Sequence, residues 1–229
     1  MVISVLLILG AYLLGSIPAA YVAAKLSRGI DLRKYGSGNV GVSNLITVAP
    51  KWLAIPVIFF DLGKGALAIW AAQLLGLGVF EEILSGLAAI IGHNWPVFLK
   101  FNGGRGVLTL AGVVLMLSPQ LAVAGLVIAF LGLPFGQLAL TALVALLLLP
   151  VATFFLGPSL GIEEPLILTL GYVAVLVIVL VRRLTAPKTS LTNSVSRGQL
   201  FLNRFLWDRD IRDRKAWIER KPLEEKVEK

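Results

Sequence analysis

The chain has 229 residues, 57% of them hydrophobic and only 15% charged, with no cysteine and a formal net charge of +8. A water-soluble domain carries roughly a quarter charged residues, and a core of this size cannot hide so much apolar surface. The composition excludes a soluble globular enzyme and points to a bilayer as solvent; the lack of cysteine excludes thiol catalysis, thiolate metal sites and disulfides.

Apolar runs cover approximately 2–25, 52–76, 79–99, 107–132, 133–156 and 165–184. The first has no basic residue ahead of it, unlike a secretory signal, and is read as a retained span. Ala11, Gly15, Ala19 and Ala23 share one face of that helix, and Ala68, Ala72 and Gly76 one face of the second. Small faces of this kind let membrane helices approach closely. Pro119 and Pro134 divide 107–156 into three short helices, which brings the total to about seven spans. The predicted fold is an all-α, multi-spanning integral membrane protein, with a transmembrane domain over 1–185 and a basic cytoplasmic tail over 186–229.

Charge sets the orientation. Lys25, Arg28, Arg33, Lys34 and Lys51 lie in the first polar loop, Lys100 and Arg105 in the second, and Arg182, Arg183 and Lys188 open the tail. The alternate loops carry Glu81 and Glu82, and Glu163 and Glu164. Basic loops face the cytoplasm, so the N-terminus is expected outside and the C-terminus inside. This distribution accounts for the net charge without a nucleic-acid partner. Within the tail, segment 199–220 fits either an interfacial helix carrying Phe201, Phe205, Trp207 and Trp217 or a solvated basic extension.

Three places carry candidate chemistry. Gly36, Gly38 and Gly41 are interleaved with Ser37, Asn39, Ser43 and Asn44, just after Arg33 and Lys34. Glycines free the backbone to aim several N–H groups at one point, and the side chains add hydrogen-bonding partners. That is a construction for a phosphate and neighbouring hydroxyls. The stretch also spells Gly-x-Gly-x-x-Gly, but the dinucleotide fingerprint needs a preceding strand, and here a membrane helix precedes it. The second place joins His93 and Lys100 to Gly103, Gly104, Arg105 and Gly106, where a glycine-arginine turn opens a helix. His93 fits either a site position or a helix-end residue that holds the loop. The third is Asp61 with Lys64, three residues apart on one helix face, at a depth where charges pair or line a polar cavity. No Gly-x-Ser-x-Gly elbow and no His-Glu-x-x-His zinc motif occurs, and residue 98 after His93 is Phe rather than Asp. No metal ligand set and no cofactor is expected.

Taken together, Gly15-Ser16-Ile17-Pro18, Gly36-Ser37-Gly38-Asn39-x-Gly41-x-Ser43-Asn44, Asp61-x-x-Lys64-Gly65, and Gly92-His93 followed by Pro96-Val97-Phe98-Leu99-Lys100-Phe101-x-Gly103-Gly104-Arg105-Gly106 resemble the bacterial acyl-phosphate-dependent glycerol-3-phosphate acyltransferases. The resemblance implies a seven-span plasma-membrane enzyme of phospholipid synthesis with its site toward the cytoplasm. Its substrates would be acyl phosphate and glycerol 3-phosphate, its surroundings membrane lipids, with no obligate protein partner. Ser37, Asn39, His93 and Arg105 are then the expected catalytic residues. Arg33, Lys34, Gly36, Gly38, Gly41, Asn44, Asp61, Lys64, Lys100, Gly103, Gly104 and Gly106 are the expected binding residues. Two departures stand out. Arg105 occupies a position usually held by Lys, and the His-Arg-x-Asn segment expected after the last span is missing. Asn193, Ser194 and Arg197, or Asn203 and Arg204, are candidates to replace it. The rival readings are an anion or phosphate-ester transporter, which would want a matching second half, and a catalytically diverged scaffold. Residues 120–184 carry little charge, which favours a one-sided enzyme site.

Overall fold

The computed structural model describes residues 1–220, and every regular element among them is helical. Apolar α1 (Val2–Ser16) stops where Pro18 removes a backbone donor, and α2 (Ala19–Arg28) resumes until Gly29, in the left-handed region at φ 69°, ends it. A short α3 (Val42–Val48) precedes the long α4 (Ala54–Leu74). Then come α5 (Val79–Asn94), α6 (Val107–Leu117), α7 (Pro119–Leu131), α8 (Leu138–Leu156) and α9 (Pro165–Leu184). Two tail helices follow, α10 (Arg197–Trp207) and α11 (Arg214–Ile218).

The predicted division of 107–156 into three helices is what the chain adopts, but only α6 and α7 are short; α8 has 19 residues. Pro119 begins α7, while Pro134 lies in the loop before α8. Among the described residues, four segments are long and apolar enough to cross a bilayer: Val2–Arg28, Lys51–Leu74, Leu138–Leu156 and Pro165–Leu184. At 1.5 Å per residue, α5, α6 and α7 each fall short of a core roughly 30 Å thick.

Helix α5 packs on α1 and α4, and α6 packs on α4. Where α1 meets α5 and α4 meets α6, backbone approaches backbone. A Cβ on Gly15 would strike the carbonyl of Ala89, and one on Gly65 the carbonyl of Thr109. The expected small faces hold only in part. Ala11 and Gly15 are buried, but beyond the Pro18 break the buried positions are Ala20 and Ala24 rather than Ala19 and Ala23. Gly76 lies past the end of α4 with open space around it. Large apolar side chains such as Leu6, Phe59, Val123, Phe130, Phe155 and Leu170 remain exposed, as a lipid-facing belt requires.

The tail folds back on the bundle. Arg204 of α10 donates to the carbonyls of Leu184 and Ala186, satisfying the end of α9, and pairs with Asp210 at 2.8 Å. Segment 199–220 is therefore two helices separated by a bend, not one; Phe201 and Leu202 are exposed while Arg204 turns inward. Residues 221–229 of the expected tail lie outside the described residues.

Candidate active site

The first glycine loop is organised by one side chain. Asn44 is buried, and its Nδ2 donates to the carbonyls of Leu32, Tyr35 and Asn39 at 3.0–3.1 Å. Its Oδ1 accepts from the Ser37 N–H at 2.8 Å. With every polar atom used inside the loop, Asn44 positions the loop and has nothing left for a substrate; the expected binding role does not fit it. Gly36 (φ 54°) and Gly38 (φ 67°) occupy the left-handed region the loop requires. Gly41, at φ −154°, is ordinary extended backbone, so the predicted need for glycine there is not conformational. Ser37 accepts only a long bond from the Asn39 N–H, at 3.4 Å, and the buried Oδ1 of Asn39 has no partner. These two side chains retain hydrogen-bonding capacity.

Arg33 pairs with Asp31 at 2.6 Å, lies 5.5 Å from the Tyr21 ring and reaches the Leu99 carbonyl at 3.5 Å. The Arg33 guanidinium bonded to Asp31 holds that carboxyl below its ordinary range. Arg33 thus ties the first loop to the second with its charge already matched. Lys34 and Lys100 are exposed at the rim.

The second loop turns sharply through Lys100 (φ 52°) and Phe101 (φ 60°). Gly104 donates its N–H to the His93 carbonyl at 3.1 Å. That group is therefore not a free donor for an anion, contrary to the expected role of this turn. Arg182, at the end of α9, donates to the carbonyls of Gly104 at 2.9 Å and Gly103 at 2.6 Å. Arg105 is paired with Asp208 of the tail at 2.7 Å. Gly106, at φ 68°, leads into α6 beside Asn94, whose buried amide has no partner.

The two loops meet at His93. A Cβ on Gly104 would collide with His93 Nε2 and lie 2.6 Å from the Val40 carbonyl. The other ring nitrogen faces Asp61 Oδ1 at 3.6 Å. Asp61 is bound to Lys64 at 2.7 Å, and Lys64 Nζ donates to the Ile17 carbonyl at 3.3 Å, beside the Pro18 break. Asp61 and Lys64 sit in α4, roughly 10 and 15 Å from its start. Both are buried, next to the histidine at which the two glycine loops meet.

A family profile described as glycerol-3-phosphate acyltransferase matches residues 5–189. The chain belongs to the glycerol-3-phosphate acyltransferase family. Glycerol-3-phosphate acyltransferase 4 of Dehalococcoides mccartyi (strain CBDB1) is 43% identical over 215 residues, 94% of this chain and 93% of the relative. Acyltransferase 5 of D. mccartyi (strain ATCC BAA-2266 / KCTC 15142 / 195) is 42% identical over 96% of each. The chain is also similar to a crystal structure of PlsY (YgiH), an integral membrane glycerol 3-phosphate acyltransferase, in its glycerol 3-phosphate form: TM-score 0.69, 31% identity, 79% of this chain and 88% of that one. The lysophosphatidic acid form of the same protein gives a TM-score of 0.67.

In this acyltransferase the neighbourhood of the missing third motif is filled differently from either expectation. Asn193, Ser194 and Arg197 are exposed, and Asn203 and Arg204 are spent on the tail's own structure. Arg182 and Asp208 reach the second loop instead. Arg182 looks like an orientation charge in the sequence. Its signal was the doublet Arg182-Arg183: consecutive helix positions point about 100° apart, so two adjacent cations at a helix end face different surroundings. Asp208, an acid in a basic tail, was the other available signal.

Proposed function

We propose that the protein transfers a fatty acyl group from acyl phosphate to the 1-hydroxyl of sn-glycerol 3-phosphate, releasing lysophosphatidic acid and phosphate, at the cytoplasmic face of a bacterial plasma membrane. The observation that carries this reading is the junction of the two glycine loops at His93, above the Asp61–Lys64 pair. One cleft then presents Ser37 and Asn39 from one loop and Arg105 from the other.

The donor arrives activated, so no protein nucleophile is required. The glycerol hydroxyl oxygen attacks the acyl carbonyl carbon, the bond to the phosphate oxygen breaks, and the hydroxyl proton leaves on a phosphate oxygen. The protein contributes orientation and charge neutralisation. Ser37 and Asn39 orient the glycerol hydroxyls, Lys34 and Lys100 offset the negative charge brought by two phosphates, and Arg105, anchored through its Nε by Asp208, turns its remaining guanidinium donors to them. His93, Asp61 and Lys64 hold the loops together from below, and Asn44 shapes the first loop. The acyl chain lies among helices and enters from the membrane, without an obligate protein partner.

About seven spans, with α5, α6 and α7 as short ones, put these loops on the cytoplasmic side with the N-terminus outside, and the tail from residue 186 is a cytoplasmic element whose described part packs against the bundle. The positive-inside charge bias supports this orientation. So does the cleft in which Gln73, Glu82, Ser118, Gly161 and Glu163 meet, at the end of α4 away from the glycine loops. Purified protein given acyl phosphate and radiolabelled glycerol 3-phosphate is expected to form lysophosphatidic acid and orthophosphate together. No product across donor chain lengths and lipid compositions contradicts the reading, and product from acyl-CoA alone contradicts the donor.

A further inference from the structure

Most cations around the cleft are already matched. Lys64 is paired with Asp61, Arg33 with Asp31 and Arg105 with Asp208, and Arg182 is occupied by two backbone carbonyls. One guanidinium at the first glycine loop is different. Arg220, in the tail, places Nη2 3.1 Å from the point where a Cβ on Gly38 would lie. Its Nη1 donates to the Trp217 carbonyl at 2.6 Å, and its Cζ lies 3.9 Å from the centre of the Trp217 ring. Trp217 is itself buried, so the guanidinium is held at its base and aimed at the loop. Among the described residues, no carboxylate forms an ion pair with it.

Arg220 lies beyond residue 189, where the family profile ends. The D. mccartyi relative nevertheless aligns with 94% of this chain, a share that requires entering the tail. We propose that Arg220 is a phosphate-binding residue of the acyl-transfer cleft, supplied by the tail to a phosphate monoester held over Gly38. A planar fork of donors suits a phosphate, and the cation–π contact with the indole holds the guanidinium in place before the ligand arrives. A glycine at 38 leaves the backbone open to the approach, since any side chain there would meet Arg220 and the Arg33 carbonyl. The assignment rests on the proposed function for the identity of its ligand.

The test compares full-length wild type with Arg220→Gln and Arg220→Lys, purified in a non-ionic detergent so that no anionic lipid supplies the phosphate. KM is measured for glycerol 3-phosphate and for acyl phosphate separately, together with kcat and the thermal midpoint. Arg220→Gln is expected to raise KM for one phosphate substrate by about 10–100-fold, the size of a lost charge-assisted hydrogen bond. Arg220→Lys, which keeps the charge without the fork, falls between. The substrate whose KM moves identifies the phosphate that Arg220 holds. Both KM values unchanged overturns the inference, as does a fall in kcat and thermal midpoint alone, the mark of a merely structural residue. If Arg220→Gln does not accumulate, the same comparison is made with Arg220→Lys. Wild type that makes no lysophosphatidic acid contradicts the proposed function instead. Arg220 is then judged on inorganic phosphate: a higher thermal midpoint in wild type but not in the variant supports it, and equal shifts overturn it.

Discussion

Asn44 and Ser37 stand in one polar motif and do different work. Asn44 uses its whole amide on four backbone groups of its own loop, while Ser37 keeps its hydroxyl nearly unengaged. Residue type and spacing marked the loop; they did not show which side chains faced inward, because that depends on where Leu32 and Tyr35 bring their carbonyls. Ser37→Ala is expected to cut kcat/KM by about 10–100-fold with an unchanged thermal midpoint. Asn44→Ala, which strands several backbone groups, is expected to lower activity and thermal midpoint together. Steady-state kinetics beside a melting curve separates the two outcomes. The Asp61–Lys64 pair was legible from its three-residue spacing within an apolar run, and the two side chains meet at 2.7 Å. Removing one partner leaves a buried charge and costs about 3–5 kcal/mol, whereas replacing both with apolar residues of similar size recovers much of it. Stability of Asp61→Leu, Lys64→Met and the double variant checks this; a double variant as unstable as the sum of the singles contradicts it.

Among the elements, helix existence was legible and helix continuity less so. The first apolar run looks unbroken in hydropathy, yet Pro18 divides it, and the break leaves the Ile17 carbonyl in reach of Lys64. A small-residue face counted through the proline therefore loses register, which is why Ala20 and Ala24 are buried where Ala19 and Ala23 were expected. Gly15 touches the Ala89 backbone, so Gly15→Leu is expected to separate α1 from α5 and lower the detergent melting midpoint by several degrees. The same change at Gly10, in open space, is expected to be silent. The tail was the hardest element to read, because its contacts are polar and distant in sequence. Burial of Asp210 opposes its ionisation, but hydrogen bonds from Arg204, Thr192 and Thr189 outweigh it and hold its pKa below the ordinary value. The resulting stability is complete above about pH 4 and is lost as pH falls through the lowered folded value. Limited proteolysis is expected to find the tail protected from pH 5 to 8 and cleaved only as pH falls well below about 4. Asp210→Asn is expected to be cleaved throughout.

For the whole molecule, composition alone established the bilayer, and charge asymmetry located the polar chemistry at one end. The pairing of the two glycine loops was not readable from spacing, since it arises from α5 delivering His93 to Gly104, where the Val40 carbonyl also approaches. In the proposed function these loops are two halves of one glycerol 3-phosphate cleft. Hydrogen–deuterium exchange of the full-length protein in detergent tests this most directly. Saturating glycerol 3-phosphate is expected to slow exchange in 33–44 and 92–106 together, with the same concentration dependence. Protection confined to one loop, or found instead around Glu82 and Glu163, would contradict it.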